Sequence, residues 1–166
     1  MKKIFLSIIV ILLFNFSFSQ DKLLTFEKND YSINYPDTWK LDTSGQMDSE
    51  FILFSALTSN DEFRENINLV IQDLGEQKMT MPEFVKLSES QIKAYTSNGK
   101  VIESKGDNFS HSIVFSGFVA NNDLKFKQLY FLKNNKIYVI TFTALENSYD
   151  SYLKTGNEIL NSFKLK

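Results

Sequence analysis

Ser112-Ile-Val-Phe-Ser-Gly-Phe-Val-Ala120, Leu124-Lys-Phe-Lys-Gln-Leu-Tyr-Phe-Leu132 and Ile137-Tyr-Val-Ile-Thr-Phe-Thr-Ala144 are apolar and aromatic runs separated by two short polar turns. β-Branched and aromatic residues at this density, bounded by turn residues, predict three consecutive antiparallel strands. Asn134-Asn135 between Lys133 and Lys136 suits a two-residue hairpin loop, because asparagine tolerates positive φ. Such a loop sets Phe131 opposite Tyr138 and Leu129 opposite Ile140 on one side, with Leu132–Ile137 and Tyr130–Val139 on the other. Apolar pairs on both sides predict a hairpin covered on both faces, the middle layer of a sandwich. Lys125 and Lys127 mark where one face reaches water. The Asn121-Asn122-Asp123 turn allows more than one loop length and fixes no register.

Two amphipathic helices are available as covers. Thr80-Met81-Pro82-Glu83 is a capping box with proline in the first turn, where its missing donor costs nothing. Phe84, Val85, Ser88, Ile92 and Tyr95 then share one face, and Asn98-Gly99 ends the run. A second helix opens at Asn147 or Ser148 and carries the stripe Tyr149, Tyr152, Leu153, Gly156, Ile159, Leu160 and Phe163. Strands are predicted at Leu23–Glu27, at Tyr31–Tyr35 up to Pro36, at 51–57, at 67–74 and, briefly, at 101–104; residues 42–50 read as loop. The fold class expected is α+β, an antiparallel sheet flanked by helices on both faces, in one domain over residues 20–166.

The first residues stand apart. Met1-Lys2-Lys3 is basic, Ile4 to Phe16 is an almost unbroken apolar run, and Ser17-Phe18-Ser19 offers small residues where a signal peptidase reads. The run is shorter than the ~20 residues that span a bilayer, which predicts a cleaved secretory signal over residues 1–19 rather than a stable membrane anchor. No cysteine occurs, so lipid attachment at a cleavage-site cysteine, disulfides and thiolate metal sites are excluded. The expected location is periplasmic or secreted, not as a lipoprotein. Loss of Lys2 and Lys3 leaves 16 basic against 20 acidic side chains, and no clustered basic stretch of the kind phosphate backbones demand. Nucleic acid is not an expected partner; an unidentified envelope or secreted protein is.

Tyr31-Ser-Ile-Asn-Tyr-Pro36-Asp-Thr-Trp39 resembles the opening of PsbP-like and DcrB-like proteins, which share a fold with the Mog1 family. Glu65-Asn66-Ile67-Asn68-Leu69-Val70-Ile71, the 82–95 helix and the Gly117-containing hairpin resemble later markers of that fold in the same order. Tyr138-Val-Ile-Thr-Phe-Thr143 and the closing Ile159-Leu-Asn-Ser-Phe163 complete the match. The resemblance implies a Mog1/PsbP-like sandwich. It also implies an accessory role, since members stabilise a photosystem's extrinsic face, bind a small GTPase or chaperone secreted effectors. It carries over no functional residue, and an export signal departs from the cytosolic branches.

Catalytic candidates are sparse. His111 is the sole histidine; Ser110, Ser112, Ser116 and Asp107 are near in sequence, but neighbours on a strand point to opposite faces. Neither Asp48 with Glu50 nor Asp61-Glu62 with Glu65 has the alternate oxygen spacing and glycine turn of a calcium loop. The six glycines are scattered singly and make no phosphate-cradling loop. Asn108-Phe109-Ser110 matches a glycosylation acceptor, relevant only in a eukaryotic secretory route. No catalytic, cofactor or metal residue is therefore assigned.

The function expected is a non-catalytic exported accessory protein acting through protein–protein contacts. The 42–50 and 58–65 loops, with Trp39, Asp48, Glu50, Asp61, Glu62 and Glu65, are the expected recognition surface, although a tryptophan just after Pro36 also suits a core anchor. The alternative is a carrier of a small apolar ligand between the aromatic sheet and the 84–95 helix. A hydrolase built around His111 is the third reading.

Overall fold

The computed structural model describes residues 22–57 and 63–166; the expected signal over residues 1–19, and Asp61 and Glu62, lie outside the described residues. In chain order the elements are β1 (Leu23–Glu27), β2 (Tyr31–Pro36), β3 (Lys40–Asp42), β4 (Phe51–Phe54) and β5 (Asn66–Asp73). Then come α1 (Met81–Tyr95), β6 (Ser97–Gly106), β7 (Ser110–Val119), β8 (Asn122–Lys133), β9 (Lys136–Leu145), α2 (Tyr149–Ser162) and β10 (Lys164–Leu165).

The β8–β9 hairpin forms in the register read from its turn. Asn134 and Asn135 have φ of 52° and 59°, Lys133 pairs with Lys136, and pairing continues to Leu124 opposite Leu145. The preceding turn is resolved by the same chemistry. Ala120 and Asn121 take φ of 49° and 67°, so Val119 pairs with Asn122, and Asn122-Asp123 join the strand. Two-residue turns with both central φ positive match the twist of the strands they join.

These hairpins sit in a seven-stranded antiparallel sheet of order β3-β4-β5-β9-β8-β7-β6. On one face α1 lies across β6 and β7, burying Met81, Phe84, Val85 and Ile92 against Ile113, Phe115, Tyr130 and Ile137. Its capping box places the Glu83 carboxylate 2.8 Å from the Thr80 amide and 2.7 Å from its hydroxyl. Tyr95, expected on the buried face, is 82% exposed, because Thr96 leaves the helix with extended backbone and turns the chain into β6. A Cβ at Gly117 would lie 2.7 Å from the Thr96 side chain, so that glycine lets the helix end press onto the sheet. Asn98-Gly99, expected to end the helix, lies just past its end at Tyr95 and inside β6, which has register shifts between Ser97 and Lys100 and between Val101 and Glu103.

The opposite face is covered by two things, where the sequence anticipated only a helix. One is α2, whose Gly156 faces the Phe142 ring, with a Cβ there reaching 3.1 Å from two ring carbons. The other is a three-stranded sheet of order β1-β2-β10, which lays Tyr31, Ile33 and Tyr35 over Phe51, Leu53, Ile67, Leu69 and Ile140. The ends of α2 are tied. The Ser148 hydroxyl donates to Glu65 at 2.7 Å, and the Ser162 hydroxyl accepts from the Asn34 amide at 2.9 Å. The architecture is the expected α+β sandwich, with its two covers displaced to opposite ends of the sheet.

Burial gives the fold an alkaline limit. Burial pushes the Tyr130 and Tyr149 hydroxyls up to about 12, with the Asp150 charge adding to the second. A phenol raised above its unfolded value stabilises the fold below that value, near 10, and loses the contribution as pH climbs to the folded value. Stability is therefore expected to hold up to about pH 10 and to fall between there and about pH 12. Tyrosinate absorbance that rises along with unfolding, rather than ahead of it, would bear this out.

Candidate functional site

Displaced covers leave part of the sheet bare. Residues of β7 alternate: Ile113, Phe115 and Gly117 turn towards α1, while Ser112, Val114 and Ser116 turn to the other face, beyond the edge of α2. Register then assigns their neighbours. Lys105, Ser112 and Leu129 form one row, Glu103, Val114 and Lys127 the next, and Lys100, Ser116 and Lys125 the third. This three-strand shelf carries four lysines and one carboxylate.

The edge of α2 closes one side of the shelf. Lys127 Nζ donates to Asn157 Oδ1 at 2.6 Å, while Lys125 Nζ lies 3.9 Å from the Asp150 carboxylate and 4.4 Å above the Tyr149 ring. Lys105 pairs with Glu103 at 2.6 Å. The hydrogen bond and charge of Lys105, with Lys127 behind, hold the Glu103 carboxyl below the usual carboxylate range. Partial burial, then repulsion from Lys105, brings the Lys127 ammonium below the usual amine range. Crowded ammonium groups beside two serine hydroxyls can hold carboxylates. The sequence showed these lysines scattered over 28 positions, from Lys100 to Lys127 counted inclusively, and only strand register brings them onto one surface.

Of the described residues expected at a recognition surface, Trp39 and Glu65 are buried, and Asp48 and Glu50 are not. Trp39 is buried in the core, its amide donating to Pro36 O at 2.9 Å, which is the anchor role a tryptophan after a strand end suits. Glu65 is buried as well, because its carbonyl accepts the Ser55 amide at 2.8 Å and its side chain accepts from Ser55 and Ser148. It is a tie between β4, β5 and the start of α2, not a surface acid. Asp48 is exposed in a single 3₁₀ turn, Gln46–Asp48, and Glu50 is half-buried, 2.7 Å from Lys28 Nζ and 3.5 Å from the Tyr31 hydroxyl.

His111 Nε2 lies 2.9 Å from the hydroxyl of Ser104, a residue the sequence reading had not paired with it. Asp107 does not orient the ring: its Oδ1 accepts the amides of Phe109 and Ser110, both at 2.8 Å, and those bonds hold its carboxyl below the usual range. Among the described residues no group of three or more His, Asp or Glu side chains could hold a metal ion, and no helix is long and apolar enough to cross a membrane. The rings between α1 and the sheet pack on one another, Phe84 edge-on to Tyr130 at 5.3 Å and Phe115 stacked on Phe126 at 4.6 Å.

No family model matches the sequence, and no curated protein matches it. Solved structures do. The solution structure of the cyanobacterial PsbP, CyanoP, from Synechocystis sp. PCC 6803 superposes with a TM-score of 0.66 at 12% identity, over 90% of this chain and 96% of that one. PA94 of Pseudomonas aeruginosa, a protein of unknown function described as a putative regulator, gives 0.60 at 9% identity over 84% and 94%. LpqN of Mycobacterium tuberculosis, involved in cell envelope biogenesis, gives 0.56 at 10% identity over 89% and 91%. At such identities the likeness concerns the fold. The fold is the PsbP/Mog1-like sandwich that the Tyr31–Trp39 opening and the later markers resemble.

Proposed function

We propose that this chain is a non-catalytic, exported accessory protein that binds another envelope or secreted protein through the lysine shelf between α2 and β6. The observation that carries the reading is the shelf itself. A chain with net charge −2 gathers Lys100, Lys105, Lys125 and Lys127 on one part of its sheet beside α2. Such a surface favours a partner patch rich in carboxylates, through complementary potential and faster encounter. Two proteins sharing the fold point the same way: LpqN by its part in cell envelope biogenesis, and CyanoP as a PsbP protein.

A photo-crosslinking side chain at Ser116, in the middle of the shelf, tests this in living cells. The expected result is a discrete crosslinked partner that disappears when Lys125→Glu and Lys127→Glu are combined in a protein of unchanged circular dichroism. Crosslinking from Asp48 but not from Ser116 would move recognition to the 42–50 loop and overturn the role of the shelf.

A further inference from the structure

We infer that the outer edge of β6 pairs with the β6 edge of a second copy of this chain, about a two-fold axis at Ser104. The sheet ends on one side at β3, three residues long, and on the other at β6, ten residues long. Bulges, charges and short length are the usual protections of a sheet edge. Here both register shifts fall before Glu103, the second at Ile102, leaving Glu103, Ser104, Lys105 and Gly106 paired without a break to Val114, Ile113, Ser112 and His111. Those last four residues are a straight edge.

Main-chain direction fixes which groups it offers. Asp107 N–H donates inward to Ser110 O at 2.8 Å, so main-chain groups at Lys105 and Glu103 also point at β7. Those of Ser104 and Gly106 point away from the sheet. An antiparallel two-fold at Ser104 exchanges both of its main-chain bonds with the same residue of the second copy.

Charge selects this register over its neighbours. Glu103 and Lys105 share a face of the strand and already reach one another at 2.6 Å. An axis at Glu103 would set carboxylate against carboxylate, and one at Lys105 ammonium against ammonium. An axis at Ser104 sets Glu103 against Lys105 twice, as opposite charges in a closer, non-hydrogen-bonded pair. The pairing shares Lys105 and Glu103 with the shelf but not Lys125 or Lys127, so the Lys125→Glu, Lys127→Glu variant tests the proposed function without touching the pairing.

Sedimentation of the purified protein from about 1 µM to about 1 mM, the range in which modest interfaces associate, tests the pairing. A concentration-dependent dimer is expected. Glu103→Lys or Lys105→Glu alone should weaken it about tenfold or more, and the two together should restore it. Because the chain has no cysteine, Ser104→Cys should give a single disulfide-linked dimer under mild oxidation, across a pair about 5.5 Å apart at Cα. A monomer throughout that range, a dimer indifferent to the single charge reversals, or a dimer that Ser104→Cys fails to link would overturn the inference.

Discussion

Phe142→Ala is expected to destabilise the protein by about 3–5 kcal/mol, read as a lower denaturation midpoint at unchanged slope. Phe142 is fully buried on the central strand β9, opposite Ile67 of β5, with the Tyr149 ring 5.3 Å away. Above it sits Gly156, which has no side chain to move into the space. Nor can α2 sink to close the gap. Its start is tied to Glu65 through Ser148, and its end to β2 through Ser162. A cavity that cannot collapse costs more than the transfer of the lost atoms alone. Gly156→Ala should be unfavourable beside the intact ring, where its Cβ would sit 3.1 Å from ring carbons, and less so or favourable in the Phe142→Ala background. Simple additivity of the two changes would show that helix and sheet had already relaxed together.

Tyr31→Ala is expected to cost a similar amount, about 3–5 kcal/mol, for a different reason. Its ring is the joint between the two sheets. It lies 6.3 Å from Phe26 of β1, 6.0 Å from Phe51 of β4 and 5.8 Å from Phe163, which follows α2. The hydroxyl adds little, since its 3.5 Å contact with Glu50 is at the limit of a hydrogen bond. Tyr31→Phe should accordingly cost less than about 1 kcal/mol in the same denaturation experiment. Equal losses for the two substitutions would move the energy from the ring to the hydroxyl.

Local chemistry made the centre of this fold legible. The Asn134-Asn135 turn fixed a register that held along the hairpin, and Thr80 with Glu83 marked where α1 begins. Residues whose state depends on distant partners were not legible. The second half of β6 lacks apolar alternation because it is an exposed edge, and the pattern that announces a half-buried strand is absent there. β3 is three polar-flanked residues that become strand only by pairing with β4. Tyr95 has the spacing of the buried stripe but sits on the last helical residue, where the chain turns away. Glu65 looked like a loop acid until Ser148, from the other end of the sequence, was brought to it. The lysine shelf was hidden in the same way, since alternation along three strands says nothing of which lysines become neighbours.

The small sheet also orders events in time. β2 forms near the start of the chain, yet its outer partner β10 is Lys164–Leu165, and Lys166 N donates back to Asp30 O at 2.9 Å. A chain emerging N-terminus first from a ribosome or a translocation pore can assemble the β6–β9 meander early, because its hairpins are local. It cannot close β2 between its two neighbours until residue 165 is out. Tyr31 and the aromatic joint around it therefore stay unfinished until residue 165 has emerged.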